Sequence, residues 1–263
     1  MKSSKTIKKQ WFNSLLKANE ALKPVESLSS NIGELSLEEA YEVQAMLVQH
    51  WIRKGERVIG WKVGATSRSV MDQLRVSEPI FGCMTSKSDL STLMEVKASG
   101  FCRLAVEGEI AFLMGAPLKG PGITRGDVMR ATSGITGAIE LVDSRIKDWD
   151  ANPSEAVADN AFHAGIMLGP ITKPLAGFDL IHEGVVLRKN AKLLASACGV
   201  EALGNPINVV VWLANKLAEF GKEIGAGEIV STGSLTNFFF IEPGDVLEVS
   251  FSNLGTIQFA VMD

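Results

Sequence analysis

From Arg57 to the C-terminus the chain is a succession of short apolar runs bounded by Gly, Pro or Asp. They fall at 57–63, 105–114, 137–143, 163–168, 183–188, 228–232, 246–251 and 256–261. Runs of this length and composition read as strands. They do not alternate with helices as βαβ units would, which disfavours a doubly wound parallel sheet. The turn Glu242-Pro243-Gly244-Asp245 has Pro and Gly where a type II turn needs them. The closing segment GTIQFAVM alternates Ile257, Phe259 and Val261 against polar or small neighbours, the pattern of a half-buried strand.

Helical patterns stand apart from this series. SLEEAYEVQAMLVQHWIRKG opens on Ser36 with Glu39 three residues later, a capping box. Ala40, Val43, Met46, Leu47 and Trp51 form its apolar stripe, and Gly55 supplies the stop. Trp11, Phe12, Leu15 and Leu16 also fall at helical spacing instead of forming the apolar run of an export signal. Two helices are expected inside the sheet-rich part. One lies near 125–132; the other is NPINVVVWLANKLAEFG, with Asn205 as N-cap, Pro206 at the first helical position and Gly221 past the end. The expected fold is α+β: a helical N-terminal region, 1–56, and a β-rich domain, 57–263.

Composition removes several function classes. The net charge of −4 gives no basic surface for nucleic acid. The apolar run Val209 to Ala214 is far too short to span a membrane. Cys83, Cys102 and Cys198 are scattered, and His50, His163 and His182 form no H-E-x-x-H pattern, so a zinc site is not expected and a cytoplasmic location is. GPGITRGD and GAPLKGPG match neither a dinucleotide fingerprint nor a phosphate loop, and no G-x-S-x-G elbow occurs.

The stretch VEGEIAFLMG sets two carboxylates into a strand that otherwise belongs in an interior. Glu107 and Glu109 are two residues apart, so they share a face, and that face continues as Ala111 and Leu113. Glu140 lies in a similar run, between Ile139 and Leu141. These carboxylates either line solvated faces or crowd a shielded place. In the second case one holds a proton or a cation neutralises them. Carboxylate oxygens without His or Cys are hard ligands, suited to Mg²⁺ or Mn²⁺. In RVIGWKVG, Lys62 shares a face with Val58 and Gly60. It is either an acid/base of lowered pKa or a strand lysine reaching solvent. Phe238-Phe239-Phe240 forms either core or one wall of a pocket.

Taken together, GERVIGWKVGATS, EPIFG, VEGEIAFLMGAPLKGPGIT, IELVDSRIKDW, VADNA, LGNPINVVVWLANKLAEFG, AGEIVSTGSLT and PGD resemble the hydratase/decarboxylase branch of the fumarylacetoacetate hydrolase superfamily. That branch includes 2-oxopent-4-enoate hydratases and 4-oxalocrotonate decarboxylases of aromatic meta-cleavage catabolism. The resemblance spans residues 55–255 in order. It implies a β-rich roll of mixed and antiparallel sheets with a divalent-metal site. It carries the metal-ligand role onto Glu107, Glu109 and Glu140, and an acid/base role onto Lys62. Substrate-contacting roles fall on Ile80, Phe162 and Ser234. Two positions depart from the hydratase pattern: P-D-F-G becomes Pro79-Ile80-Phe81-Gly82, and A-D-N-A-S ends in Phe162.

The implied chemistry begins with a 2-oxo acid chelated to Mg²⁺ (or Mn²⁺), whose enolate the ion stabilises. Hydration of a 2-hydroxy-2,4-dienoate to a 4-hydroxy-2-oxo acid comes first among the implied reactions. Decarboxylation of 4-oxalocrotonate at the same site is the alternative, and Ile80 suits it by keeping water away. A non-catalytic metal-binding partner of such a complex is the third reading. C–C bond hydrolysis is disfavoured because no histidine is expected beside the carboxylates. The resemblance also implies a homo-oligomer able to associate with a partner hydratase or decarboxylase.

Overall fold

The computed structural model describes residues 3–263. Three helices lead: α1 (Ser4–Ala21), α2 (Leu28–Asn31) and α3 (Leu37–Arg53). Ser36 caps α3 through the expected capping box with Glu39. The strands are β1 (Val58–Gly64), β2 (Ile80–Thr85), β3 (Glu95–Lys97), β4 (Ala105–Met114), β5 (Thr132–Val142), β6 (His163–Lys173), β7 (Gly184–Lys189), β8 (Lys192–Cys198), β9 (Ile229–Ser231), β10 (Phe239–Phe240), β11 (Val246–Phe251) and β12 (Gly255–Met262). Helices α4 (Arg68–Leu74), α5 (Arg125–Ala131), α6 (Pro153–Ala158) and α7 (Pro206–Glu219) fall between them. Asn205 caps α7, its Oδ1 accepting from the Ile207 N–H at 3.0 Å, as the Asn-Pro pair requires.

One sheet runs β2-β1-β9-β4-β5-β6, with β10 also paired to β4. It is mostly antiparallel, but β1 and β9 run parallel. Beyond β2 the chain turns back onto β6: Asp89 bridges Ile166, and the Leu90 N–H donates to the Ile166 carbonyl at 2.8 Å. That contact curls the sheet into a roll. Met84, Ala111, Ala138 and Ile166 are fully buried on its inner face.

The second sheet, β3-β12-β11-β7-β8, packs on the outer face of β4 and β5. Two glycines permit that approach. A Cβ on Gly108 would lie 3.1 Å from Val185 and 3.2 Å from Val249, and one on Gly137 would lie 2.4 Å from Phe251. The glycine between the two glutamates is thus a packing requirement of the opposite face. Alternation along β12 buries Ile257, Phe259 and Val261, as expected.

The N-terminal helices share the core of the roll, through Trp11, Leu15, Ala40, Val43 and Leu47. Buried Gln44 fixes α3 to the roll by donating to the carbonyls of Phe81 (2.8 Å) and Val157 (3.0 Å). The sequence reading left β2, β3, β8, β10, α4 and α6 without an element. These are short or lack a one-face period, and they form through long-range pairing that a local pattern does not reveal.

Candidate functional site

Register builds the site. In the β4–β5 ladder Glu107 stands directly opposite Glu140, and Glu109 opposite Ala138. Paired and i, i+2 residues share a face, so the three carboxylates meet inside the roll. One oxygen from each lies within 4.8 Å of the others. Glu109 and Glu140 are fully buried, whereas Glu107 keeps part of its surface in solvent. The site therefore opens on the Glu107 side.

Lys62 reaches the same place from β1, buried to 4% exposure. Its Nζ lies 3.1 Å from Oε2 of Glu140 and donates to the Ala161 carbonyl at 3.0 Å. The expectation of a lowered lysine pKa, or of a lysine in solvent, is corrected here. Burial alone would lower it, but the charges of Glu140, Glu107 and Glu109 outweigh that and raise it. The group is held as an ammonium.

Burial pushes Glu107 up from 4.5 to about 8, with Lys62 opposing and the neighbouring carboxylates adding. Glu109 also rises to about 8, from burial first and then from the Glu140 charge. Burial raises Glu140 too. The Ser231 hydroxyl and the Gly233 N–H (3.0 Å) both donate to Oε2 of Glu109. Among the described residues Oε1 of Glu109 is buried without a hydrogen bond, and Oε2 of Glu140 has the Lys62 ammonium as its partner. An orphaned carboxylate oxygen on Glu109 and two further carboxylates within 4.8 Å, with one ammonium among three acids, fit a hard divalent cation that satisfies the unpaired acceptor and offsets the crowded charge.

A histidine does stand beside the carboxylates, contrary to expectation. His163 Nδ1 lies 2.8 Å from Oε1 of Glu140, and Nε2 lies 2.9 Å from the Ser88 hydroxyl. Burial, with Lys62 and Arg145 nearby, holds its pKa down at about 3, so the ring is neutral. A cavity of about 500 Å³ lies on the far side of this ring, lined by Trp51, Lys54, Ser88 and Arg145 among others; none of the three carboxylates lines it.

The quoted motifs turn out to be the frame of the site. Asp143 accepts from the N–H groups of Cys102 (2.9 Å) and Arg103 (2.8 Å). Arg145 is clamped to Asp159, Nε to Oδ1 at 2.6 Å. Asn160 grips the Cys83 backbone through both ends of its amide, at 2.8 and 2.9 Å. Together they set the arch Asn160–Phe162, which presents the Ala161 carbonyl to Lys62.

The remaining expected residues divide. Ile80 is buried near the lysine: a Cβ on Gly64 would lie 3.5 Å from Lys62 Nζ and 3.6 Å from Ile80 Cγ1. Phe162 leaves the arch to meet Trp149, with ring centroids 5.3 Å apart. The Ser234 hydroxyl is turned to the Thr236 carbonyl, so it serves a turn beside Gly233. Phe238 and Phe240 are not core: Phe238 is 42% exposed, and both pack on Trp149 at the rim of the site. Ser231, His163 and Trp149 were missed by the sequence reading. The placement of Trp149 in the IELVDSRIKDW motif and of Ser231 in AGEIVSTGSLT could have signalled those two; His163 lies in neither.

The family profile described as fumarylacetoacetate (FAA) hydrolase C-terminal matches residues 61–262. A 2-hydroxyhexa-2,4-dienoate hydratase from Comamonas testosteroni is 36% identical over 249 residues, covering 93% of this chain and 94% of the relative. A 4-oxalocrotonate decarboxylase from Pseudomonas putida is 32% identical over 234 residues, covering 89% of each. The solved structure of 4-oxalocrotonate decarboxylase from Pseudomonas putida G7, complexed with magnesium and adipate, superposes with a TM-score of 0.95 at 29% identity, covering 100% of this chain and 99% of that one. The chain belongs to the fumarylacetoacetate hydrolase family.

Proposed function

We propose that this protein is a metal-dependent lyase that hydrates a 2-hydroxy-2,4-dienoate to a 4-hydroxy-2-oxo acid, with Glu107, Glu109 and Glu140 as ligands of Mg²⁺ (or Mn²⁺). The observation that carries this reading is the convergence of the three carboxylates within 4.8 Å, one with an orphaned oxygen, against a buried lysine. A bound divalent ion supplies Lewis-acid stabilisation of the enolate of a chelated 2-oxo acid. The protein's own groups do the rest. Lys62, held as an ammonium by Glu140 and the Ala161 carbonyl, hands a proton to C5 of the diene as the enol ketonises to the 2-oxo-3-enoate, and the proton that leaves the C2 hydroxyl restores the ammonium. Water then adds its oxygen at C4 and a proton at C3. Ser231 and the Gly233 N–H orient Glu109, and His163 orients Glu140.

The buried, apolar Ile80 beside Lys62 favours a second reading, decarboxylation of a 2-oxo-enedioate at the same site. Ile80 excludes water there, and loss of CO₂ needs no water-activating acid. Incubation with 2-hydroxypenta-2,4-dienoate and with 2-hydroxymuconate, with and without Mg²⁺, separates the readings. The 4-hydroxy-2-oxo acid is expected from the first substrate only with metal. CO₂ from the second, without hydration of the first, gives the decarboxylase. No metal-dependent turnover of either leaves a non-catalytic metal-binding partner.

The division of labour assigned here is a helical region over 1–56 that braces β2, and chemistry carried by 57–263. Among the described residues no helix is long and apolar enough to cross a membrane. We place the protein in the cytoplasm, a reading supported by its three free cysteines, and assign it as a homo-oligomer. Exposed Met94 and Leu193, at 73% and 63%, supply apolar surface for contacts between copies or with a partner enzyme.

A further inference from the structure

An aromatic wall stands at the open side of the carboxylate site and takes no part in the proton chemistry. Phe240 pairs with Ala105 across the β10–β4 ladder, so its ring lies on the same face as Glu107. Trp149 stacks on Phe238 with centroids 5.0 Å apart and planes at 20°, and meets Phe240 at 5.4 Å and Phe162 at 5.3 Å. Two stretches of left-handed backbone present these rings. Asp148 and Trp149 have φ of 56° and 60°, and Asn160, Ala161 and Phe162 have 54°, 50° and 62°. None is glycine, and such strain persists where the surroundings over-determine it, commonly at ligand clamps.

Two further observations indicate that the wall is built for an occupant. Phe238 leaves 42% of its surface uncovered among rings that could have closed over it. Among the described residues Trp149 Nε1 is buried and has no acceptor, a donor that the π face of an aryl occupant can meet. Arg103 lies with its guanidinium carbon 3.8 Å over Phe240, and its own side chain is exposed.

We propose that this wall receives the tail of the substrate beyond its reacting carbons and selects an uncharged alkyl or aryl tail over a bare terminus or a carboxylate. The inference rests on the dienoate-hydratase reading and names its substrate class. A carboxylate among these rings would be desolvated, and Arg103, the cation beside Phe240, is exposed, so its attraction is screened by solvent. Each methylene buried there is worth about fourfold in affinity.

The test compares hydration of 2-hydroxypenta-2,4-dienoate, 2-hydroxyhexa-2,4-dienoate, 2-hydroxy-5-phenylpenta-2,4-dienoate and 2-hydroxymuconate by the native protein, Phe238→Ala and Trp149→Phe. KM should fall about fourfold or more from the first substrate to the second and again to the third. Phe238→Ala should compress that series towards unity. Trp149→Phe, which keeps a ring but drops the donor, should weaken the phenyl-tailed substrate more than the methyl-tailed one. An unchanged series in Phe238→Ala overturns the proposal, as does a preference for 2-hydroxymuconate that Arg103→Met abolishes. Calorimetric titration with 2-oxopentanoate, 2-oxohexanoate, 2-oxoheptanoate and 2-oxoadipate in Mg²⁺ reads the same preference without turnover. A protein that binds these in the expected order yet hydrates no dienoate keeps the wall and loses the hydratase reading; one that binds 2-oxoadipate most tightly loses the wall.

Discussion

The Nδ1 of His163 lies 2.8 Å from Oε1 of Glu140 while its Nε2 lies 2.9 Å from the Ser88 hydroxyl, so a neutral imidazole spans the gap between a candidate metal ligand and the loop after β2. With Glu140 ionised, Nδ1 must carry the proton, which leaves Nε2 as an acceptor facing the Ser88 hydroxyl, whose single proton is also within reach of the Thr85 carbonyl at 2.9 Å. The Nδ1 proton fixes the carboxylate's rotation from behind. Partners of this kind typically contribute 10–100-fold in metal affinity. His163→Ala is therefore expected to weaken Mg²⁺ binding by about 10–100-fold in calorimetric titration. An unchanged affinity would make the ring a packing element only.

Glu107→Gln should have opposite effects with and without metal. The native carboxyl is pushed up to about 8 by burial, so at neutral pH the folded protein retains a proton that the unfolded chain has lost. The amide removes that cost. Metal-free Glu107→Gln should gain about 1–3 kcal/mol, seen as a Tm several degrees higher. It should also lose the rise in Tm that Mg²⁺ gives the native protein. A metal-free variant that melts below the native protein would contradict the assigned crowding.

The sharing of a face by Glu107 and Glu109 was legible from the two-residue period alone, whereas their meeting with Glu140 was not. It depends on the β4–β5 register, a pairing across more than thirty positions that no local pattern encodes, so Glu140 stood out only as an acid in an apolar run and its place beside the other two came from the resemblance. His163 was hidden for a sharper reason. The β5–β6 ladder shifts register between Leu141 and Val142, pairing Val142 with His163. Without that bulge Val142 would face Ala164, and the histidine would point out of the roll. Lys62 was visible as an oddity, but its charge state follows from three carboxylates on two other strands. The α3 capping box and the Asn205-Pro206 start of α7 were read correctly because each is settled within four residues.

Proton release should accompany metal binding. Glu107 and Glu109 sit at about 8 in the folded protein against 4.5 ordinarily. Both pKa values are raised, so the unfolded chain ionises first. Stability of the metal-free protein should therefore fall as pH rises from about 4.5 to about 8. Mg²⁺ affinity should climb through the same window, by up to about tenfold per pH unit for each proton displaced. Titrations at pH 6, 7 and 8 in buffers of different ionisation enthalpy test both statements. A flat affinity with no buffer dependence would mean that the carboxylates are already ionised.

Lys62→Met should lose turnover by about 10²–10⁴-fold, the usual worth of a positioned acid/base. Lys62→Arg should not restore it. The Nζ fits between Glu140 and the Ala161 carbonyl as a compact donor, and a planar guanidinium has a different reach and fork. Steady-state rates with saturating Mg²⁺ check this. Retained turnover in Lys62→Met would move the proton transfer to another group.

Gly82 stands opposite Lys62 on β2, where a side chain would break the site from behind. A Cβ there would lie 2.4 Å from the Asn160 carbonyl oxygen and 3.2 Å from Lys62 Cδ. The first neighbour is backbone of the arch that presents Ala161 to the lysine, and it is tied down by the Asn160–Cys83 hydrogen bonds at 2.8 and 2.9 Å. The arch cannot yield without giving those up. Gly82→Ala is therefore expected to cost about 1–3 kcal/mol in denaturant unfolding. It should also cut kcat well beyond what the lost stability explains, because Ala161 and Lys62 move apart. Gly177→Ala is the control for adding a methyl group: its Cβ would meet nothing within 4 Å, although its φ of 76° carries some strain. It should lower stability to a similar degree while leaving kcat intact. Equal loss of kcat in both variants would show that the Gly82 effect is one of stability alone.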